Sequence, residues 1–160
     1  MSIPQSVRDD VSLDRDYLLW TLLFLTKDVV LRARNKELSQ CDISSEQGAV
    51  LFIIQSLGDK TTLAEISRWL SRQRHSIAGL LRRMEKKGLV RMTKDLDRKN
   101  MIRVTLTEKG KHIYYQIIKL GSIHRIMSSL TEEQYQQLRS GLETIKFKYE
   151  ILELVNVILS

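Results

Sequence analysis

The pattern of apolar and polar positions along the 160-residue chain predicts a mainly α-helical protein with one small β-hairpin. A long first helix is expected from about Asp14 to Glu37, where apolar residues occupy almost every face. Such a helix has to be covered on several sides, by the rest of the fold or by a second subunit. A second helix is expected over residues 44–57, because a serine pair can cap its start and Gly58 can end it.

Two shorter helices over residues 62–88 predict a helix-turn-helix. Thr62 and Glu65 have the spacing of a capping box, in which both side chains bind free backbone N–H groups at a helix start. A polar break at residues 71–73 separates this helix from the next one, which ends at Gly88. The second helix has an inward stripe at helical spacing, formed by Ile77, Leu80, Leu81 and Met84.

A β-hairpin is predicted directly after the helix-turn-helix, over residues 89–106. Its second strand is indicated by Ile102, Val104 and Leu106, which alternate with polar residues at the period of a strand with one buried face. The stretch between the two strands, residues 94–100, is almost entirely polar. The hairpin is therefore expected to have a charged tip and to form a wing.

Two helices are expected after the wing. Thr107 is predicted to cap a fifth helix, which extends through Leu120 to Met127. Thr131 and Gln134 repeat the capping-box spacing and predict the start of the last helix. The apolar residues of this last helix recur every three to four positions, as in a coiled-coil seam, and are Tyr135, Leu138, Leu142, Ile145, Tyr149 and Leu152.

Positive charge is concentrated on the helix-turn-helix and the wing. Residues 68–111 contain 14 Lys and Arg against 4 Asp and Glu, a net charge of +10, although the whole chain has a net charge of +7. The rest of the chain therefore has a net charge of −3. A basic segment within a neutral-to-acidic protein is typical of a surface that binds a polyanion.

Several other classes of protein and site are not expected. The apolar run 18–25 is shorter than the about 20 residues of a membrane span, and no secretory signal pattern precedes it, so we expect a cytoplasmic protein without a membrane partner. Cys41, His112 and His124 are too few for a metal site, and no cofactor is expected. We favour an ordinary cysteine over a redox switch, because no histidine lies near Cys41 in the sequence. No nucleophile-and-base arrangement is found, so an enzyme is not expected.

The segment Leu63–Gly110 resembles a known family in three stretches, which are LAEISRWL, HSIAGLLRRMEKKGLV and VTLTEKG. With the wing between the last two, the segment resembles the MarR family of bacterial winged helix-turn-helix regulators. The order of the flanking helices matches that family as well. The resemblance implies a homodimer that represses transcription from a palindromic double-stranded DNA operator. It also implies three regions, namely 1–43 and 111–160 for dimerisation and 44–110 for DNA binding, with the helix-turn-helix at 62–88 and the wing at 89–106.

The predicted base contacts lie at the start of the second helix of the helix-turn-helix, because the first turns of a recognition helix enter the major groove. An arginine there can bind guanine O6 and N7 together, which discriminates against other bases by about 1–3 kcal/mol. Gly79 on the same helix either allows close approach of the backbone to DNA or is incidental. The predicted base-contacting residues are Arg72, Gln73, Arg74, His75 and Ser76.

Phosphate and minor-groove contacts are predicted around them. Arg82 and Arg83, together with Lys86 and Lys87, are interpreted as phosphate contacts or as a solvated face. At the wing tip, Arg98 or Lys99 is expected to enter the minor groove, where narrow A·T tracts attract cations. Both remain candidates because the wing is one residue longer than the family pattern, and Asp97 is expected to brace the neighbouring arginine.

The resemblance further implies a small aromatic ligand between the DNA-binding lobe and the dimerisation helices. Candidate lining residues are Tyr17, Trp20, Phe24 and Phe52, which also fit an interpretation as plain core residues. Two alternative functions use the same basic surface. One is a winged-helix module that binds an acidic protein partner, and the other is an architectural protein that binds DNA without sequence specificity.

Overall fold

The computed structural model describes residues 14–95, 97–98 and 101–159, the last ten of these by their backbone alone. Over these residues the chain forms seven α-helices and one two-stranded antiparallel sheet, which confirms the predicted fold class. The helices are α1 (Arg15–Leu38), α2 (Ser45–Leu57), α3 (Leu63–Trp69), α4 (Arg74–Lys86), α5 (Glu108–Ile118), α6 (Gly121–Met127) and α7 (Glu132–Leu159). The strands are β1 (Val90–Lys94) and β2 (Ile102–Leu106), and short 3-10 turns follow α1 and α2.

Helices α2 and α3 begin at the caps that the sequence predicts. At α3, the Thr62 N–H donates to Glu65 Oε2 at 2.8 Å, and the Glu65 N–H donates to Thr62 Oγ1 at 3.2 Å. A reciprocal pair of the same kind joins Ser44 and Gln47 at the start of α2. The side chains thus satisfy backbone donors that have no partner within the helix.

The core lies within the winged-helix part of the chain. Among the described residues, the buried apolar side chains all fall between Leu38 and Ile117 and form one cluster. The cluster joins α2, α3 and α4 to the hairpin and α5. Its fully buried members are Leu38, Val50, Leu51, Ile66, Ile77, Leu81, Met84, Leu89, Val90, Val104 and Ile117.

The hairpin is anchored to the segment that precedes α3. Met92 pairs with Val104 in the antiparallel register, and Val104 is fully buried. The Val104 N–H also donates to the Thr61 carbonyl at 2.9 Å. The wing is therefore attached to the start of the helix-turn-helix by its backbone as well as by the core.

The expectation of one fifth helix from Thr107 to Met127 is wrong. The chain leaves the helix at Leu120 (φ −64°, ψ 138°), so α5 and α6 are separate. Leu120 has no polar side chain to cap α6, and the Glu37 carboxylate of α1 accepts the Ser122 N–H at 2.7 Å instead. The interruption depends on a tertiary contact, which the local sequence pattern does not reveal.

The terminal helices α1 and α7 add little to the core. Leu38 is the one buried residue of α1, and the α7 side chains of residues 132–149 are all exposed. Within the described ranges, no helix is long and apolar enough to cross a membrane.

Candidate nucleic-acid interface

Helix α4 separates its apolar and basic residues onto different faces. The inward stripe that the sequence predicts is at most 3% exposed at each position. The five residues predicted to contact bases are all exposed, as are Arg82 and Arg83 one to two turns further along α4. The core thus holds one face of α4 and leaves its first turns accessible to a ligand as large as DNA.

A tight turn sets the angle at which α4 leaves α3. Ser71 adopts a positive φ of 49°, and the Arg72 N–H donates to the Ser67 carbonyl at 3.0 Å. A left-handed residue after a helix is usually glycine, because other side chains are disfavoured there. The sequence pattern of a polar break did not indicate that Ser71 would take this conformation.

The two residues before α4 have different surroundings. The Arg72 guanidinium lies 3.4 Å from Glu46 Oε1, at the start of α2. The pair is exposed, and such pairs contribute about 0–1 kcal/mol, so DNA can compete for this arginine. Gln73 is the N-cap residue of α4, and its side chain makes no capping hydrogen bond.

The structure brings predicted contacts from α4 and the wing to one cleft. Arg74 and His75 of α4 and Arg98 of the wing line a cleft of about 640 Å³, together with Thr62 and Ala64 at the start of α3. Lys99, the alternative wing-tip contact, lies outside the described residues. Two arginines and a histidine therefore face one concave surface.

Among the described residues, the ion pair of the wing joins Asp95 to Arg103, and not Asp97 to its neighbour Arg98 as predicted. Asp95 Oδ2 accepts from Arg103 Nε at 2.8 Å and lies 2.7 Å from Arg103 Nη2. Asp95 Oδ1 accepts the Asp97 N–H at 3.0 Å. The Asp97 backbone bond and the Arg103 guanidinium hold the pKa of the Asp95 carboxyl below its usual range. Thr93 pairs with Arg103 in the hairpin, so Asp95 lies diagonally opposite Arg103. This register was the signal that could have identified the Asp95–Arg103 pair.

Lys87 has a structural partner away from the cleft. Its Nζ donates to the Asp42 carbonyl at 2.7 Å and lies 2.9 Å from Asp42 Oδ2. The Lys87 carbonyl in turn accepts from Lys109 Nζ at 2.8 Å. Lys87 therefore ties the end of α4 to the linker before α2 through an exposed pair, and its role as a phosphate contact or a solvated residue stays a prediction.

The four aromatic candidates for ligand binding do not lie together. Tyr17, Trp20 and Phe24 follow one another along the exposed face of α1, with ring centroids 5.3 Å apart in the first pair and 5.7 Å apart in the second. Phe52 instead lines an apolar cavity of about 290 Å³ between α1, α2, α5 and α6, which Tyr114 also lines. Each of the four is at least 47% exposed, so an interpretation as core of the single chain is wrong.

Comparison with known proteins agrees with this geometry. Residues 43–110 match the family model of a winged helix DNA-binding domain. Among solved structures, the organohalide-sensing transcriptional regulator RdhR in its 2,4-dichlorophenol-bound form is 30% identical, with 92% of this chain and 86% of that chain covered and a TM-score of 0.74. A mutant of MarR from E. coli in complex with operator DNA is 25% identical, covering 79% and 92% of the two chains with a TM-score of 0.71.

The MepR–DNA complex from S. aureus is 23% identical, with 84% of this chain and 97% of that chain covered and a TM-score of 0.68, and shows the shared fold. A search of curated proteins found no match. The fold and the matched domain define a winged-helix DNA-binding protein. The chain belongs to the MarR family of transcriptional regulators.

Proposed function

We propose that the protein is a homodimeric repressor that binds a palindromic operator and is released by a small aromatic effector. The observation that carries the DNA-binding part is the cleft at which Arg74, His75 and Arg98 meet. Two separate elements, a recognition helix and a wing, present cations to one surface. That arrangement suits a duplex, whose major groove accepts the helix while the wing reaches a neighbouring minor groove.

The basic residues have different roles in this proposal. Residues 72–76 read base edges, because they occupy the exposed turn before α4 and the first residues of that helix. Arg82 and Arg83 contact phosphates, which fixes the register of the protein on DNA without reading sequence. Arg98 or Lys99 enters the minor groove. The net charge of +10 over residues 68–111 supplies the non-specific attraction to the duplex.

The homodimer is supported by the apolar surfaces of α1 and α7. Leu19, Leu22 and Leu25 are each at least 42% exposed on α1, and the predicted seam of α7 is exposed from Tyr135 to Tyr149. Surfaces of this kind are typical of helices that pack against a second copy. A dimer formed through regions 1–43 and 111–160 would present two copies of the region 44–110 to half-sites about 34 Å apart.

The effector part is supported by the apolar cavity of about 290 Å³. Its walls are mostly aliphatic, and Arg34 and Tyr114 add polar groups, the composition expected of a small-ligand site. The similar regulator RdhR was solved with 2,4-dichlorophenol. A ligand at the junction of α1 with α5 and α6 can change operator affinity only if it binds the DNA-competent and incompetent dimers differently.

Fluorescence anisotropy tests the operator proposal. The protein is titrated onto the duplex upstream of its own gene and onto a scrambled duplex, across a salt series. We expect a preference of about 1,000-fold and a steep salt dependence. Equal, weak binding to both duplexes would contradict specific repression and favour an architectural protein, and an absence of binding at low salt would favour a protein partner.

Single substitutions separate the proposed roles of the arginines. Arg74→Ala is expected to cost about 1–3 kcal/mol on the native duplex and to relax specificity. Arg82→Ala is expected to weaken binding to both duplexes alike and to reduce the salt slope of binding by about one. Lys36→Ala, which removes the same charge from α1, is the matched control.

The effector is tested separately with 2,4-dichlorophenol as the probe. We expect it to bind by calorimetry and to weaken operator binding. Ala49→Phe, which fills the cavity that Ala49 lines, should abolish both effects without changing operator affinity in the absence of the probe. Operator affinity that does not change with saturating probe would reject this ligand class.

A further inference from the structure

Helix α7 contacts the helix-turn-helix at a point outside the proposed DNA cleft. Lys146 Nζ donates a hydrogen bond to the Trp69 carbonyl at 3.0 Å. The same ammonium lies 4.9 Å from the centroid of the Trp69 ring, within the range of a cation–π interaction. One side chain of α7 therefore binds both the backbone and the ring of the last residue of α3.

The contact lies at the point where the helix-turn-helix bends. The last carbonyls of a helix have no partner within it, and those of Ser67 and Arg68 are bound by the Arg72 and Ser71 N–H groups of the turn. The Trp69 carbonyl is bound by Lys146, and a cation at this end of α3 is also favoured by the helix dipole. Ser71, two residues further on, supplies the positive φ that directs α4.

The face of α7 that contacts α3 borders its apolar seam. Glu143, Lys146 and Phe147 line a cleft of about 490 Å³ with Trp69 and its neighbours on α3. At 100° per residue, Lys146 lies about 40° around α7 from Leu142 of the seam, and Glu143 and Phe147 lie further from the seam than Lys146 does. A second copy bound to the seam would therefore pack beside the Lys146 contact.

We propose that Lys146 is a positioning residue for DNA binding. It holds the end of α3 through Trp69 and so sets the orientation of the recognition helix α4 relative to α7. The proposal rests on the proposed function, in which α7 belongs to the dimerisation region. It explains how a helix that touches no DNA can influence operator affinity.

The test compares Lys146→Met with a matched control, Lys148→Met, which removes the same charge from another face of α7. Affinity is measured on the tightest duplex recovered by selection from a random library, across a salt series. We expect Lys146→Met to bind about fivefold to tenfold more weakly with an unchanged salt slope and an unchanged dimer. Lys148→Met should remain within about twofold of the wild type, and Lys146→Arg, which keeps a cationic donor, should recover most of the affinity.

Four outcomes would overturn the proposal. If Lys146→Met bound with wild-type affinity, Lys146 would have no positioning role. A salt slope reduced by about one would indicate that Lys146 contacts a phosphate, and dissociation of the dimer would indicate that it is a dimerisation residue. In a Trp20→Phe background, Trp69 is the remaining tryptophan, and Lys146→Met should change its emission. Unchanged emission would show that the contact is absent in solution. The selected duplex keeps this test separate from the question of the native operator.

Discussion

The winged-helix lobe and the two terminal helices bury their apolar residues in different ways. Within the described residues, the lobe encloses its core between Leu38 and Ile117. Helix α1 has 24 residues and buries only the last, and α7 leaves its seam exposed over residues 132–149. The terminal helices are richer in apolar residues than the lobe but leave most of them exposed, because only the lobe has other elements of the same chain packed around it.

This difference in burial indicates how each region is stabilised. The lobe depends on contacts within one chain, so its stability should not vary with protein concentration. In the proposed dimer a second copy covers the terminal helices, so we expect their stability to be coupled to dimer formation. Substitutions can therefore be designed that affect one region and leave the other intact.

The largest effect is expected from a charge in the seam of α7. Leu142→Glu places a carboxylate on a surface that the proposed dimer buries, which costs several kcal/mol for an unpaired charge. We expect the dimer to dissociate and operator affinity to fall by at least 100-fold, because two half-sites are no longer bound together. Analytical ultracentrifugation and anisotropy measure the two effects.

Ser140→Glu is the matched control for that substitution, because Ser140 lies on the opposite side of α7 from Leu142. It should leave both the dimer and operator affinity unchanged. If Leu142→Glu remained dimeric at the concentration where the wild type is dimeric, the seam would not be the dimer interface.

A smaller but still large effect is expected within the lobe. A Cβ at Gly110 would lie 2.0 Å from the Leu89 carbonyl oxygen, so α5 would have to move away from the hairpin. We expect Gly110→Ala to destabilise the lobe by about 3 kcal/mol, as measured by urea unfolding. In α7, a Cβ at Gly141 meets nothing within 4 Å, and Gly141→Ala should instead stabilise by about 1 kcal/mol. Equal effects at the two glycines would contradict the contrast between the regions.

The order of elements and the caps could be predicted because they depend on local sequence. The spacing of Thr62 and Glu65 indicated a capping box, and the structure contains it. The division between α5 and α6 could not be predicted, since the cap on Ser122 comes from Glu37, 85 residues away. Local patterns identify an element, but a break that depends on a distant side chain needs the fold.

The candidate site was predicted in part for the same reason. The exposed start of α4 follows from the apolar stripe on its other side, which helical spacing reveals. The Asp95–Arg103 brace depends on the hairpin register, and the Lys87–Asp42 contact depends on how α4 packs against the linker. Tyr17 is exposed, although it also fitted an interpretation as a core residue. The sequence alone does not show which apolar residues are buried within a single chain.

The junction between the two regions gives a prediction of intermediate size. The Ser122 hydroxyl and N–H, together with Arg34 and Arg125, hold the pKa of Glu37 below its usual range. Its charge therefore adds stability above the ordinary Glu pKa, and this stability is lost as pH falls through the lowered value. We expect Glu37→Gln to lower the Tm by about 4 °C at pH 7.

The difference in Tm between Glu37→Gln and the wild type should shrink as the pH falls below about 4.3, the ordinary value for Glu. Calorimetry at a series of pH values measures it. Glu143→Gln, on the exposed surface of α7, is the control and should change the Tm little at any pH. If the difference in Tm between Glu37→Gln and the wild type did not change with pH, the junction would require the shape of the Glu37 side chain and not its charge.

The smallest effect concerns Gly79, where stability and binding are expected to change in opposite directions. A Cβ at this position would meet only Arg83 Nη1, at an ordinary 3.7 Å, so nothing within the described protein requires a glycine. Gly79→Ala should therefore stabilise α4 by about 1 kcal/mol. We expect operator affinity to fall by about tenfold, because the methyl group lies on the face of α4 that approaches DNA. Higher stability with unchanged affinity would mean that the glycine is incidental and that α4 meets DNA only through its first turn.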